Sequence, residues 1–112
     1  MTQSFISITC TAEKMQQATM IAETLVEEQL AACVQIGGPI LSCYRWKGEI
    51  EKSEEYILII KTSRELYGRV EERIKQLHPY ETPEIIAWPI EAGSAEYLDW
   101  LAGALLPEGP AA

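Results

Sequence analysis

Short β-like runs alternate along this chain with stretches patterned for helices. Phe5-Ile6-Ser7-Ile8-Thr9-Cys10 is rich in β-formers and partly alternating, which predicts a first strand. Met15, Ala18, Ala22, Leu25 and Val26 then recur at helical spacing, with Glu and Gln on the other face. A helix is expected there, capped by Thr11 and ending near Gln29-Leu30. Ala31 to Ile36 reads as a second strand. Gly37-Gly38-Pro39 interrupts it with a kink or bulge, and it resumes from Ile40 to Trp46. Lys47-Gly48 is a two-residue turn candidate, and the return strand runs from about Glu49 to Thr62. Its second half, Tyr56 to Ile60, is apolar on both faces and belongs at the centre of a sheet.

Thr62 and Glu65 stand three apart, the spacing of a capping box. Leu66, Val70, Ile74 and Leu77 mark one face of a second helix. His78-Pro79-Tyr80-Glu81-Thr82-Pro83 must be a loop, because two prolines exclude a helix interior. Glu84 to Ile90 reads as a last strand, with Pro89 marking an edge or bulge. Gly93-Ser94 caps a short third helix carrying Tyr97, Leu98, Leu101 and Leu105. The order βαββαβ plus a terminal helix is the ferredoxin-like, α+β arrangement, an antiparallel sheet with two helices on one face. One domain over residues 1–106 is expected, followed by a loose tail over 107–112. The fold alone says little about activity, since many activities use it.

The central hairpin outreaches its cover. A strand of about 14 residues spans roughly 45 Å, whereas a helix of about 16 residues spans roughly 24 Å. The tip, with Tyr44, Trp46 and Ile50, should project beyond the body of its own subunit. Exposed strand edges are liabilities unless paired or protected, and pairing with a second copy solves this. The alternative is a solvated arm guarded by Lys47, Glu49, Glu51, Lys52, Glu54 and Glu55.

Composition narrows the partners. The 112 residues are 47% hydrophobic and 23% charged, the balance of an ordinary globule rather than a disordered chain. A net charge of −8 disfavours nucleic acid and anionic membrane surfaces. It is compatible with metal cations and equally with a plain solvated acidic surface. No run approaches the ~20 apolar residues of a membrane span, and the first residues lack the basic start of a signal peptide, so the cytoplasm is the expected location. Cys10, Cys33 and Cys43 form no CxxC pair, which argues against a disulfide framework or a dithiol redox motif.

Several segments together carry a resemblance. They are Thr9-Cys10-Thr11, Leu30 to Val34, Tyr44-Arg45-Trp46-Lys47-Gly48-Glu49, Ile60-Lys61-Thr62, His78 to Glu84, and Tyr97 to Leu101. In this order they resemble the CutA divalent-cation tolerance family, over about Phe5 to Leu106. The Trp-Lys-Gly-Glu turn and the His-Pro-Tyr-Glu-Thr-Pro-Glu loop are the most specific. The resemblance implies a ferredoxin-like subunit in an interlocked homotrimer, an architecture like that of the PII signalling proteins. It implies a role in tolerance of divalent cations, copper in particular, in a family whose members are not known as enzymes.

Within that resemblance, Cys10 and His78 match the family's copper-ligand positions, and thiolate and imidazole are donors that copper takes. The family site can include a second His just before the one at His78, and Leu77 stands there. The alternative is a packed strand cysteine and a loop histidine satisfied by backbone. Tyr80, Glu81 and Glu84 lie in or beside a loop stiffened by Pro79 and Pro83, and loops on rigid scaffolds often carry function. With Lys61 just before a helix start, they are candidates for a cleft holding a small anionic ligand, as the PII comparison suggests. The competing reading is a loop that only locks one subunit against the next. Tyr44, Trp46 and Trp88 are candidates for the trimer interface, and Arg45 for a paired surface or interface cation. No Ser-His-Asp or Cys-His nucleophile set is defensible, because no orienting third group is identifiable.

Overall fold

The computed structural model describes residues 4–107. The order is β1 (Phe5–Ala12), α1 (Met15–Glu27), β2 (Cys33–Trp46), β3 (Glu49–Ser63), a 3₁₀ turn (Arg64–Leu66), α2 (Tyr67–Leu77), β4 (Ile85–Pro89) and α3 (Ala95–Ala104). The four strands form one sheet in the order β2-β3-β1-β4, each antiparallel to its neighbours. This is the expected α+β, ferredoxin-like arrangement. Most of the expected tail, residues 108–112, lies outside the described residues.

Strand alternation explains the core. Ile6, Ile8 and Cys10 of β1 stand opposite Thr62, Ile60 and Leu58 of β3, and all six are buried. They pack with Ala18, Ile21 and Leu25 of α1, Val70 and Ile74 of α2, and Leu101 of α3. Side chains of opposite parity, Ile57 and Ile59, are only partly buried, and Ile86 and Trp88 of β4 are exposed.

β2 and β3 make one long hairpin. Its turn is Lys47-Gly48, with φ of 51° and 82°. Positive φ at both central residues matches the right-handed twist of paired strands, and Gly48 adopts it without a Cβ clash. The break at Gly37-Gly38-Pro39 is a register shift: Gly37 pairs with Ile57, but Ile40 pairs with Glu55. β2 therefore stays continuous while its distal half is re-aimed.

Two expected caps are replaced. Thr11 is buried within β1, and α1 begins after Lys14 without a side-chain cap. Thr62 does not close a capping box. Its hydroxyl donates at 2.6 Å to the carbonyl of Leu30, just beyond the end of α1. That buried carbonyl needed a donor, which outweighed a local cap. Ser94 does cap α3, its Oγ accepting from the Tyr97 N–H at 3.2 Å.

Candidate functional site

The site is built from the His78–Pro83 loop outward. The residue before a proline is driven out of helical conformation, and His78, preceding Pro79, is extended at φ −82°, ψ 135°. This ends α2 and turns the imidazole into the body, where it is buried. His78 Nε2 lies 2.6 Å from the Thr11 carbonyl oxygen, and its Nδ1 lies 3.1 Å from the Tyr80 N–H. A carbonyl only accepts and an amide only donates, so the ring is the Nε2–H tautomer with both nitrogens engaged. The Tyr80 ring packs on the imidazole with centroids 4.6 Å apart.

Tyr80 links the loop to the hairpin. Its hydroxyl donates to Glu55 Oε2 at 3.0 Å. Burial, then the hydrogen bond and charge of Glu55, hold the Tyr80 phenol well above its ordinary range. Glu55 is only 7% exposed. It is not one of the solvated guards of the hairpin arm expected from its neighbours in sequence. The loop, about 25 residues further along, covers it, and only the abutting apolar run Tyr56 to Ile60 hinted at this.

Cys10 is fully buried on β1, its thiol donating weakly to the Thr11 carbonyl at 3.7 Å. Burial, and secondarily the charge of Glu84, pushes the thiol up to about 12. The thiol and the imidazole thus converge on one carbonyl, but neither presents a free donor atom. Among the described residues, no three His, Cys, Asp or Glu side chains form a group able to hold a metal ion.

Beside this network lies a cleft of about 540 Å³. Tyr44 and Trp46 of the hairpin line it together with Glu55, Tyr80, Glu81 and Glu84, and Thr11, Ser42, Cys43 and Thr82 complete it. The candidates Tyr80, Glu81 and Glu84 therefore come together, joined by two residues expected at an interface. Lys61 does not join them. It stands opposite Ser7 and Cys33, and its Nζ donates to Gln35 Oε1 at 2.8 Å. Trp88 lies on β4 opposite Ser7, also away from the cleft. With Lys61 elsewhere and no Lys, Arg or His among the described residues that line it, the cleft is acidic and disfavours an anion.

The fold and this loop-and-hairpin site define a ferredoxin-like α+β protein with a specific family pattern. The model of the "CutA1 divalent ion tolerance protein" family matches residues 6–104, and the chain belongs to that family. A "Divalent-cation tolerance protein CutA" from Thermus thermophilus is 46% identical over 99 residues, covering 88% of this chain and 94% of that protein. The mouse "Protein CutA" is 44% identical, and the match covers 84% of this chain but 52% of the mouse protein. Among solved structures, CutA1 from Oryza sativa superposes with a TM-score of 0.92 at 36% identity, covering 95% of this chain and 97% of that one.

Proposed function

We propose that this protein serves divalent-cation tolerance as a non-enzymatic homotrimer of the cytoplasm, meeting copper or a similar cation at Cys10 and His78. Family membership carries the cation role. The donor pair is supported by the convergence of its thiol and imidazole on the Thr11 carbonyl. Thiolate and imidazole suit copper or zinc, whereas magnesium and calcium prefer oxygen. Two donors leave a coordination shell open, so in this reading further donors come from a neighbouring subunit.

Binding requires loss of the Cys10 proton and release of one His78 nitrogen from its backbone partner. Because burial pushes the thiol up to about 12, binding releases a proton, and affinity should rise about tenfold per pH unit near neutrality. Copper and zinc titrations of wild type, Cys10→Ser and His78→Ala test the assignment, with assembly followed by light scattering. Each substitution is expected to weaken copper binding at least tenfold while assembly persists. The double variant should lose little beyond the weaker single, since both remove one shared site. Equal affinity in all of them removes Cys10 and His78 from the function.

A further inference from the structure

We propose that the Tyr80–Glu55 hydrogen bond is a latch that keeps the Cys10–His78 pair closed, and that a cation reaches the pair only after the His78–Pro83 loop lifts. The entry of a cation rests on the metal assignment above; the latch itself does not. Both donors are shut in as the chain folds. Cys10 and His78 are buried, both imidazole nitrogens are engaged, and the Tyr80 ring lies against the imidazole. The two nitrogens are held by different elements. Nε2 is bound to the Thr11 carbonyl of β1, whereas Nδ1 is bound to the Tyr80 N–H of the loop itself. Lifting the loop therefore frees Nδ1 and uncovers the ring in one movement, while β1 keeps its place in the sheet.

Tyr80 is what ties that loop down. Among the described residues, positions 79–84 make two hydrogen bonds, and both belong to Tyr80. Its N–H bond to His78 is local, two positions apart. Its hydroxyl bond to Glu55 Oε2, at 3.0 Å, is the one that joins the loop to another element. β1 pairs with β3 as far as Ala12 opposite Tyr56, so Glu55 is the first residue of β3 beyond β1, and the tyrosine closes over that end. On its other side Glu55 stands opposite Ile40, the first pair after the register shift of β2. The catch is thus seated on a strand held in a ladder. A hydrogen bond to a carboxylate is stronger than one between neutral groups, and burial of Glu55 limits its screening by water. Pro79 and Pro83 fix φ on either side of the tyrosine, which keeps the segment between them stiff.

The test is iodoacetamide labelling of the full-length protein, metal removed by chelator, at one fixed pH, with Cys10 followed by peptide mass spectrometry. Tyr80→Phe keeps the ring and removes the latch, and it should speed Cys10 labelling at least tenfold. Glu55→Gln should speed it several-fold, because an amide oxygen still accepts from the hydroxyl, and it serves if Tyr80→Phe fails to fold. The double variant should be no faster than Tyr80→Phe alone, since both changes break one bond. Ile74→Val loosens the buried face of α2 without touching the latch and should leave the labelling rate within twofold. Zinc association, followed by stopped flow, should quicken in the same order as labelling. Unchanged Cys10 labelling in Tyr80→Phe overturns the latch, and so does equal acceleration in Ile74→Val, which would mean that the thiol is reached by general unfolding. Faster labelling with unchanged zinc association overturns the route of entry. Faster labelling with no zinc binding in any variant upholds the latch and removes the metal assignment instead.

Discussion

At the scale of single residues, Cys10 and Cys43 carry the same thiol in opposite settings. Cys43 is exposed on the hairpin, while Cys10 lies inside β1. Burial raises the Cys10 thiol from its ordinary 9.0 to about 12. The folded protein therefore holds this proton to higher pH than the unfolded chain does. Stability linked to the group is complete below about pH 9 and is lost as pH rises towards about 12. Tyr80, also raised, acts with the same sign from about pH 10 upward. Denaturant unfolding between pH 9 and 11 should show stability falling with pH in the wild type and falling less steeply in Cys10→Ala. Parallel slopes would mean that the thiol ionises in the fold as readily as in the unfolded chain. Residue-scale features were the least legible in the sequence. Thr62 and Glu65 have capping-box spacing, yet the Thr62 hydroxyl serves a carbonyl 32 positions away. Glu55 sits among solvated charges in sequence, yet a distant tyrosine covers it. Both outcomes depend on contacts that local spacing does not encode.

At the scale of elements, the sequence was far more informative, because strands, helices and turns rest on local rules. The apolar run in β3, the Lys47-Gly48 turn and the Gly-Gly-Pro break each state a periodicity or a φ requirement, and each is found where expected. Gly38 shows how strict that requirement is. Its φ is +119°, and an added Cβ would lie 3.0 Å from the Glu55 carbonyl oxygen and 3.1 Å from the Ile40 nitrogen, both backbone atoms unable to move aside. Gly38→Ala should cost roughly 1–3 kcal/mol, the usual range for a strained backbone position. At Gly37 an added Cβ would meet only the Ile57 Cγ2 at 3.5 Å, an ordinary contact. Gly37→Ala should therefore cost clearly less, as denaturant midpoints of the two variants will show. Similar midpoints would mean that the bulge relaxes to accept a side chain. Gly38 also matters to the cleft, because the re-aimed half of β2 carries Ser42, Tyr44 and Trp46 to its wall.

At the scale of the whole molecule, the body measures 47 × 30 × 25 Å, and several large apolar side chains are exposed on the hairpin and the outer strand. Leu41 is 68% exposed, Ile50 65%, Trp88 53% and Trp46 51%. Scattered exposed apolar residues need no explanation, but Leu41, Trp46 and Ile50 share one hairpin, a grouping that suits the proposed contact with a second copy. Charge works against such a meeting, because each chain carries −8. In the proposed trimer, association is driven by apolar burial, with mutual repulsion as the opposing force. Salt screens repulsion between exposed charges, with a Debye length of about 30 Å at 0.01 M and about 10 Å at 0.1 M. Raising the salt should tighten assembly, the reverse of what an interface held by opposite charges would show. Light scattering at low micromolar concentration is expected to report about three times the 12.6 kDa chain mass. Dissociation, where it is seen, should be confined to the lowest ionic strength. Trp46→Asp removes an apolar face and places an unpaired carboxylate at the hairpin tip, beside a cleft that is already acidic. That variant should dissociate at concentrations where the wild type is intact, and added salt should restore it only in part, since screening cannot replace the lost apolar contact. A wild-type chain that stays monomeric across the salt range would leave the hairpin as a solvated arm and remove the trimer from the proposed function.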